Sequence, residues 1–265
     1  MSTIDQKNAA GTVPEQETVL AVLIVAAGSG SRLGAGIPKA AVEIAGKTLL
    51  EWAILGALAS GVTARLVVTV PPGDTLLTTI CARYGALAVP GGASRAESVT
   101  AALTALDAAK PLPGASSSQP TGVLVHDAAR CFTPASVYRR IAQSLVAGER
   151  AVIPVLPVVD TVKTVDARGY VTGTPARAEL RAVQTPQGFD LPTLVQAHRD
   201  VAGLPAGVAE TITDDAMLAE TLGLPVATVD GDPQALKITT PLDYTLAGAL
   251  HTQGALELVE ELEKR

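Results

Sequence analysis

The sequence is poor in aromatic residues, which make up 3% of its 265 positions. Its buried core must therefore be built from the aliphatic residues that dominate a hydrophobic fraction of 48%. Such a core suits buried parallel strands that are covered by helices. The same hydrophobic fraction excludes a wholly disordered chain, and the length fits one large α/β domain.

Positive charge is also scarce, because 20 Lys and Arg stand against 26 Asp and Glu, for a net charge of −6. A dedicated nucleic-acid-binding protein needs an excess of positive charge to neutralise phosphates, so this composition argues against that class. A small anionic ligand is still compatible with the composition, since it requires only a local group of cations.

Cysteines and long apolar runs are equally scarce. Cys81 and Cys131 are too few for a disulfide framework or a zinc site. The apolar run Val19–Ala27 is too short to span a bilayer. Residues 1–18 carry charges and lack an apolar stretch, so we expect a flexible tail and not a signal peptide. Together these features predict a cytoplasmic protein that binds neither nucleic acid nor a membrane.

Short β-branched runs alternate along the chain with Ala- and Leu-rich segments of helical spacing. The predicted strands are Val19–Val25, Arg65–Val70, Leu87–Val89, Gly122–Val125, Ala151–Pro154 and Pro225–Asp230. The predicted helices lie within Ala40–Ala59 and at Thr75–Tyr84, Ser94–Lys110, Pro134–Ala147, Leu191–Asp200, Asp214–Leu222 and Pro241–Leu250. This order predicts one α/β domain over residues 19–250, a doubly wound, mostly parallel Rossmann-like sheet, followed by a helical tail at 251–265.

The segment from about 155 to 183 interrupts this alternation. It contains several prolines and Gly169, together with the alternating stretches Thr161–Val165 and Tyr170–Thr172. Alternation over short stretches that are separated by turn residues is typical of a β-hairpin. We therefore predict a β-arm that projects from the main sheet.

The strongest local signal follows the first predicted strand, where the glycine loop Ala26–Gly30 precedes Arg32 and Lys39. Glycines at a strand end let the main chain approach a ligand and turn its N–H groups toward it. Backbone donors, the fork of an arginine and the point charge of a lysine together suit a triphosphate. The plainer alternative is a turn that carries two solvated cations.

Two better-known glycine motifs do not fit this sequence. A dinucleotide fingerprint of the form G-x-G-x-x-G fails because Gly34 lies one residue too far along the chain. A Walker A loop that ended at Gly46 and Lys47 would need its first glycine at Ala41. We interpret Gly46 and Lys47 as a tight turn before a helix.

A second candidate site is His126-Asp127-Ala128-Ala129-Arg130, directly after a predicted strand. A carboxylate at the carboxyl end of a strand in an open sheet is well placed to hold Mg²⁺, which usually takes one or two carboxylates plus phosphate oxygens. The alternative is that Asp127 caps the following segment. We expect His126 to be a packed, hydrogen-bonded residue without a catalytic role.

Other candidates are weaker when they are taken singly. Gly91 and Gly92 form a turn that opens a helix, and Arg95 and Ser98 could face a nucleotide from it, while Ser94 could be a plain helix cap. Thr213, Arg177 and Lys237, when each is considered alone, are more simply explained as capping or exposed side chains. We find no Ser-His-Asp, Cys-His or His-Glu-x-x-His arrangement.

Taken together, these motifs resemble one family, the 2-C-methyl-D-erythritol 4-phosphate cytidylyltransferases of the non-mevalonate isoprenoid pathway. The glycine loop alone would indicate only a sugar-phosphate nucleotidyltransferase. The His-Asp-Ala-Ala-Arg and Thr-Pro-Gln-x-Phe blocks make the resemblance specific. The matching blocks are Ala26-Ala27-Gly28-x-Gly30-x-Arg32 with Pro38-Lys39, Gly91-Gly92-x-x-Arg95-x-x-Ser98, His126–Arg130, Asp160–Lys163, Thr185–Phe189, Thr211–Asp214 and Lys237–Thr239.

The resemblance implies that the phosphate of methylerythritol phosphate attacks the α-phosphate of CTP. It implies catalytic roles for Arg32, Lys39, Arg177 and Lys237. The residues that it implies for nucleotide binding are Ala26, Ala27, Gly28, Gly30, Arg32, Lys39, Gly92, Arg95, Ser98, Asp127 and Ala128. The residues that it implies for binding of the acceptor are Arg130, Thr161, Arg177, Thr213 and Lys237.

The resemblance also implies a cofactor and an assembly. Asp127 would bind Mg²⁺ or another divalent cation with a second carboxylate, for which Asp232 and Asp230 are both close enough in sequence. The arms of two subunits would exchange, so that Thr161 and Arg177 serve the active site of the partner in a homodimer.

The sequence departs from the family pattern at two places, and it leaves two rival functions open. Ala93 stands where the family often has an acidic residue, and Ala235-Leu236-Lys237 stands for its usual Asn-Ile-Lys. One rival function is a nucleotidyltransferase for another polyol phosphate, such as ribitol 5-phosphate. The other is a non-catalytic nucleotide-binding protein.

Overall fold

The computed structural model describes residues 18–28, 30, 33–34, 36–201 and 212–252. The strands are β1 (Leu20–Val25), β2 (Glu43–Ile44), β3 (Lys47–Thr48), β4 (Thr63–Val70), β5 (Leu87–Pro90), β6 (Gly122–Asp127), β7 (Ala151–Pro157), β8 (Thr164–Val165), β9 (Val171–Gly173), β10 (Arg181–Val183), β11 (Gln187–Asp190) and β12 (Ala227–Asp230). The helices are α1 (Leu49–Ala59), α2 (Thr75–Arg83), α3 (Arg95–Ala105), α4 (Ala135–Val146), α5 (Leu191–Val201), α6 (Asp215–Thr221) and α7 (Pro241–Thr252). Nearly all of the predicted N-terminal tail and most of the C-terminal tail lie outside the described residues, as does Arg32.

One eight-stranded sheet forms the centre of the structure. Strands β5, β4, β1 and β6 are neighbours in that order, and the pairings among these four strands are parallel. Strand β11 joins β6 and β7 in antiparallel pairings, while β12 pairs with β7 in parallel. The predicted mostly parallel, doubly wound sheet is confirmed.

Helices cover both faces of this sheet because the side chains of each strand alternate between them. Val22 and Ile24 of β1 pack in one apolar cluster, to which α1, α2 and α4 also contribute. Ala21 and Leu23 pack in a second cluster with residues of α3, α5 and α6. The aliphatic core that the low aromatic content requires is therefore divided into two layers by the sheet.

The structure adds strand residues that the sequence patterns did not predict. Strand β6 continues through His126 and Asp127, and β7 continues to Pro157. Strands β10 and β11 were missed because each is short and β11 contains a glycine. Gly188 is needed there, since a Cβ atom at this position would collide with the side chain of Ile141 in α4.

The segment predicted as an arm contains a hairpin with narrower bounds, and its projection from the main sheet stays a prediction. Strands β8 and β9 pair antiparallel as a separate two-stranded sheet. The ends of the segment belong instead to the main sheet, because Val155–Pro157 pairs with Arg181–Val183. No helix in the described part of the chain is long and apolar enough to cross a membrane.

Candidate active site

A pocket of about 190 Å³ lies at the carboxyl ends of β1 and β6. These strands are parallel and in register, which places Val25 opposite Asp127. The pocket lining contains one carboxylate, Asp127, and three cations, Lys39, Arg95 and Lys237. The lining residues are Val25, Ala26, Gly28, Lys39, Ala40, Arg95, Asp127, Ala128, Ala129 and Lys237.

Asp127 is ion-paired through both of its carboxylate oxygens. The Nε atom of Arg95 lies 3.2 Å from Oδ1, and Nζ of Lys237 lies 2.7 Å from Oδ2. Burial by itself would raise the pKa of Asp127, but the charges of Arg95 and Lys237 outweigh it and hold this pKa below its usual range. The carboxylate is therefore ionised at neutral pH. Asp127 is the last residue of β6, so the alternative that it caps the following segment is not what the structure shows.

Arg95 is the first residue of α3, and Ser94 is the predicted cap, since its Oγ accepts the N–H of Glu97. The guanidinium group bonds to two carboxylates, Asp127 through Nε and Asp215 through Nη1, the latter at 2.6 Å. Burial tends to lower the pKa of Arg95, but attraction to Asp215 and Asp127 raises it overall. Arg95 is thus a permanently charged link between the pocket and the interior.

Lys39 is placed by its contact with the glycine loop. Gly30 has a φ of 66°, and a Cβ atom there would collide with the Cβ atom of Lys39. Only glycine therefore lets the loop and the lysine pack this closely. The N–H groups of Ala26 and Ala128 bond to the carbonyl oxygens of Thr69 and Val25, so these two residues shape the pocket wall without offering main-chain donors.

The second glycine turn is held together by Ser98. Its Oγ accepts the N–H of Gly92 at 3.1 Å and donates to the carbonyl of Ser94 at 2.9 Å. The turn packs on the first glycine loop, since a Cβ atom on Gly91 would collide with Ala27. Gly92 and Ser98 do not line the pocket, and their predicted contacts to a nucleotide are still predictions.

Arg130 holds the loop that carries Lys237. Its Nη1 donates to the carbonyl of Ala235 at 2.7 Å, and its Nη2 donates to the carbonyl of Val183 at 3.1 Å. The N–H of Ile238 donates to the carbonyl of Ala129 across the same junction. The described contacts of Arg130 are therefore structural, and they bring Lys237 to the pocket. Binding of a substrate by Arg130 stays a prediction.

Three predicted acceptor-binding residues lie away from this pocket. Thr161 and Arg177 are exposed in the segment between β7 and β10, and Nη1 of Arg177 donates to the carbonyl of Val159. Thr213 is exposed just before α6, where its hydroxyl contacts the sulfur atom of Met217 at 3.9 Å. None of the three lines the pocket of the single chain.

The predicted pair of metal-binding carboxylates does not meet in the pocket. The side chain of Asp232 accepts the N–H of Gln234 at 2.9 Å and caps a short 3-10 helix, Pro233–Ala235. In the described segments, no group of three or more His, Cys, Asp or Glu side chains could hold a metal. Asp127 is the one carboxylate in the pocket lining, so a metal held there would take its other ligands from the substrate and water.

The structure gives a place in the site to three residues behind Asp127 for which the sequence patterns predicted no role. Thr185 accepts the N–H of Asp127 through its hydroxyl and is paired with Nδ1 of His126, both at 3.1 Å. Asp215 and His198 continue from Arg95 into the interior. Asp215 is the first residue of α6, and its neighbour Asp214 is the cap of that helix.

His126 itself is packed, as expected. It is fully buried, and its ring lies 5.4 Å from that of Tyr138. Burial lowers the pKa of His126 to about 4, so the imidazole is neutral at physiological pH. It supports Asp127 through Thr185 and does not line the pocket.

Comparisons with known proteins agree with this geometry. A family model described as 2-C-methyl-D-erythritol 4-phosphate cytidylyltransferase matches residues 20–253. The chain is 47% identical to the protein of that name from Rhodococcus jostii (strain RHA1) over 233 residues. This alignment covers 88% of this chain and 95% of that protein. It is 50% identical to the protein of that name from Nocardia farcinica (strain IFM 10152) over 230 residues. This alignment covers 86% of this chain and 92% of that protein.

A solved structure supports the same assignment. The crystal structure of 2-C-methyl-D-erythritol 4-phosphate cytidylyltransferase from Thermus thermophilus superposes with a TM-score of 0.66 at 37% identity, over 89% of this chain and 100% of that one. The family match spans every strand of the sheet and both sides of the pocket. The chain therefore belongs to the 2-C-methyl-D-erythritol 4-phosphate cytidylyltransferase family.

Proposed function

We propose that this chain transfers the cytidylyl group of CTP to 2-C-methyl-D-erythritol 4-phosphate, giving 4-diphosphocytidyl-2-C-methyl-D-erythritol and pyrophosphate. The observation that carries the proposal is that Lys39, Arg95 and Lys237 line one pocket with Asp127 at the end of parallel strands, in a member of this family. Ligands of open α/β sheets bind at that end, and grouped cations there suit a polyphosphate.

The reaction is a displacement at phosphorus. An oxygen of the acceptor phosphate attacks the α-phosphorus of CTP, and the bond from that phosphorus to the bridging oxygen breaks. The bonding electrons leave with pyrophosphate. Such a transfer needs positioning and neutralisation of charge more than covalent catalysis by the protein.

Lys39 and Arg32 would stabilise the charge that develops on the leaving pyrophosphate. Lys39 lines the pocket and is half-buried, so its charge is less screened by water than that of an exposed lysine. Its contact with Gly30 restrains the main chain from which the ammonium group reaches the ligand. Restraint before the substrate arrives lowers the reorganisation that the transition state requires.

Lys237 would hold the attacking phosphate together with Arg177. The ammonium group of Lys237 is oriented by Asp127, while its side chain is still 43% exposed and can therefore reach a ligand in the pocket. Arg177 is exposed in the segment between β7 and β10, and its guanidinium is suited to a bidentate contact with phosphate.

Asp127 is the residue that would hold Mg²⁺ or another divalent cation. Its carboxylate is ionised, faces the pocket and has no other carboxylate beside it in the lining, which fits a cation that arrives with the nucleotide phosphates. When bound, the ion would neutralise charge on the phosphate oxygens. A second ligand from Asp232 is not needed for this arrangement.

We also propose a homodimer with exchanged arms. Thr161 and Arg177 lie outside the pocket of their own chain, and apolar side chains of the same segment are open to solvent. Val159 is 77% exposed, Tyr170 67% and Val171 61%. Exposed apolar side chains that cluster in one segment are typical of an interaction surface. A partner subunit that covered them would bring Arg177 to the other active site.

The cytoplasm is the compartment that we propose for this reaction. Cys81 and Cys131 are both buried and unbridged, as thiols are in reducing compartments. Burial raises the pKa of Cys81 to about 12, so the thiol is an inert packing residue.

The test is the release of pyrophosphate from CTP in the presence of Mg²⁺. Methylerythritol 4-phosphate, ribitol 5-phosphate and no acceptor are compared, with UTP, GTP and ATP as alternative nucleotides. We expect release that depends on both CTP and methylerythritol phosphate. Release with ribitol phosphate alone would reassign the acceptor, and binding of nucleotide without release under any condition would favour the non-catalytic function.

A further inference from the structure

A continuous row of hydrogen-bonded side chains runs from the pocket into the interior. Asp127 bonds to Nε of Arg95, and Nη1 of Arg95 bonds to Oδ2 of Asp215 at 2.6 Å. The other oxygen of Asp215 lies 3.0 Å from Nε2 of His198, whose Nδ1 is 3.0 Å from the hydroxyl of Thr100. Four separate elements, β6, α3, α6 and α5, are joined by this row.

The side chains behind Arg95 are inaccessible to substrate. The side chain of Asp215 is 2% exposed and that of His198 is 4% exposed. Both oxygens of Asp215 and both ring nitrogens of His198 are used within the protein. Within this row, these residues reach the pocket through Arg95.

The charges along the row explain why a second carboxylate is useful there. Arg95 and Lys237 both face the single carboxylate of Asp127, and Lys39 adds a third cation to the pocket lining. Asp215 supplies a second negative charge on the far side of Arg95 and so reduces this excess of positive charge. Without it, the excess positive charge beside Asp127 would repel any divalent cation that came to bind there.

We propose that Asp215, held by His198, is a positioning residue for Asp127. It fixes the guanidinium of Arg95 by its Nη1 end and balances its charge, so that Asp127 can accept a divalent cation together with the nucleotide. The inference rests on the proposed function only in assuming that Asp127 binds that cation. His198 fixes one oxygen of Asp215 and so directs the other oxygen toward Arg95.

The experiment measures binding of Mn²⁺ to the protein with CTP, without acceptor, by the electron paramagnetic resonance signal of free Mn²⁺. Because CTP itself binds Mn²⁺, the same titration without protein is the reference. Asp215→Asn keeps the shape of the side chain and removes its charge. We expect the dissociation constant of Mn²⁺ to rise about tenfold in this variant. Asp215→Glu, which restores the charge, should recover part of the affinity.

Glu51→Gln is the matched control. Glu51 is also a largely buried carboxylate paired with an arginine, Arg83 at 2.8 Å, and neither residue lines the pocket. Its loss should lower thermal stability and leave the affinity for Mn²⁺ unchanged. A lower affinity in Glu51→Gln equal to that in Asp215→Asn would overturn the proposal, because destabilisation alone would then explain the effect.

His198→Phe and His198→Gln provide a second route if Asp215→Asn does not fold. Phenylalanine removes the donor to Asp215, while glutamine can keep one. We expect weaker binding of Mn²⁺ in His198→Phe than in His198→Gln. Equal affinity in Asp215→Asn and wild-type protein refutes the positioning role and leaves the proposed function standing. Absence of Mn²⁺ binding by wild-type protein with CTP refutes instead the metal-binding role of Asp127, on which the inference rests.

Discussion

The ammonium group of Lys237 lies 2.7 Å from Oδ2 of Asp127, although the two residues come from distant parts of the sequence. Asp127 ends a central strand, and Lys237 lies in the loop before the last described helix. The contact is made because Arg130 and the carbonyl of Ala129 bind that loop through its main chain. An acidic strand end and a basic loop thus form one side of the pocket.

Replacement of Lys237 by methionine should lower turnover about 100-fold or more, because the attacking phosphate loses a preorganised cation. The fold should persist, since the main-chain bond from Ile238 to Ala129 does not depend on the lysine side chain. Pyrophosphate release and thermal melting measure the two effects. Lys110→Met, at an exposed position outside the pocket, is the control. Normal turnover in Lys237→Met would remove this residue from the mechanism.

Replacement of Lys39 by alanine should likewise abolish most turnover and leave the fold intact. The expected loss is about 100-fold or more in kcat, because this cation acts on the charge that develops in the transition state. Steady-state kinetics with CTP varied would separate an effect on kcat from one on KM. A variant that changed only KM would show that Lys39 binds the nucleotide equally well before and during the reaction.

Gly30→Ala tests how the glycine loop places Lys39. The new methyl group would meet the side chain of Lys39, and the φ of 66° would cost about 1–2 kcal/mol for a residue with a Cβ atom. Gly34→Ala is the control, since its φ is 71° and a Cβ atom there meets nothing within 4 Å. We expect a loss of stability in both variants, larger in Gly30→Ala because of the added collision, and a loss of turnover only in Gly30→Ala. Equal turnover in the two variants would contradict the packing argument.

The stability of the metal-free protein should fall as the pH is lowered from about 6.5 to 4. The unfolded state protonates its histidine near pH 6.5, whereas buried His126 has a pKa of about 4 in the folded protein. The stabilising contribution is complete above the unfolded value and is lost as the pH falls toward the folded one, about 3 kcal/mol in all. Urea unfolding with EDTA present measures it.

His126→Asn should flatten this profile. Asparagine offers a polar atom for the hydroxyl of Thr185 and does not titrate in this range. The carboxyl group of Asp127 does not interfere, because its pKa is lowered and its contribution is lost only below about pH 4. A profile equally steep in wild-type and variant protein would assign the effect to other groups.

Exchange of arms between subunits predicts complementation between two inactive variants. Lys39→Ala removes a cation from the pocket, and Arg177→Ala removes a cation from the segment between β7 and β10. In a mixed dimer, one pocket would combine an intact Lys39 with an intact Arg177 from the other subunit. Refolding the two variants together in equal amounts should restore about a quarter of wild-type activity, from the random pairing of subunits in a two-fold dimer. No recovery would show that each chain uses its own arm.

Local patterns in the sequence were sufficient for most of the fold. The alternation of β-branched and helical segments predicted the parallel sheet and the helices on both of its faces, and their bounds agree within a few residues at most ends. Asp127 at a strand end and Lys39 beside a glycine loop were recognised as site residues for the same reason, since strand ends and glycines are visible locally.

The sequence by itself therefore determined the order of the elements, the two-layer core and the positions from which Lys39 and Asp127 enter the pocket. Only the tertiary structure decided that Arg95 bonds to Asp215, that Arg130 holds the loop of Lys237, and that Ser98 is used within its own turn. The physical reason is distance along the chain. Hydrophobic period and helix caps are set by neighbours within a few residues. Ion pairs between different elements depend on how the sheet and its helices bring remote side chains together.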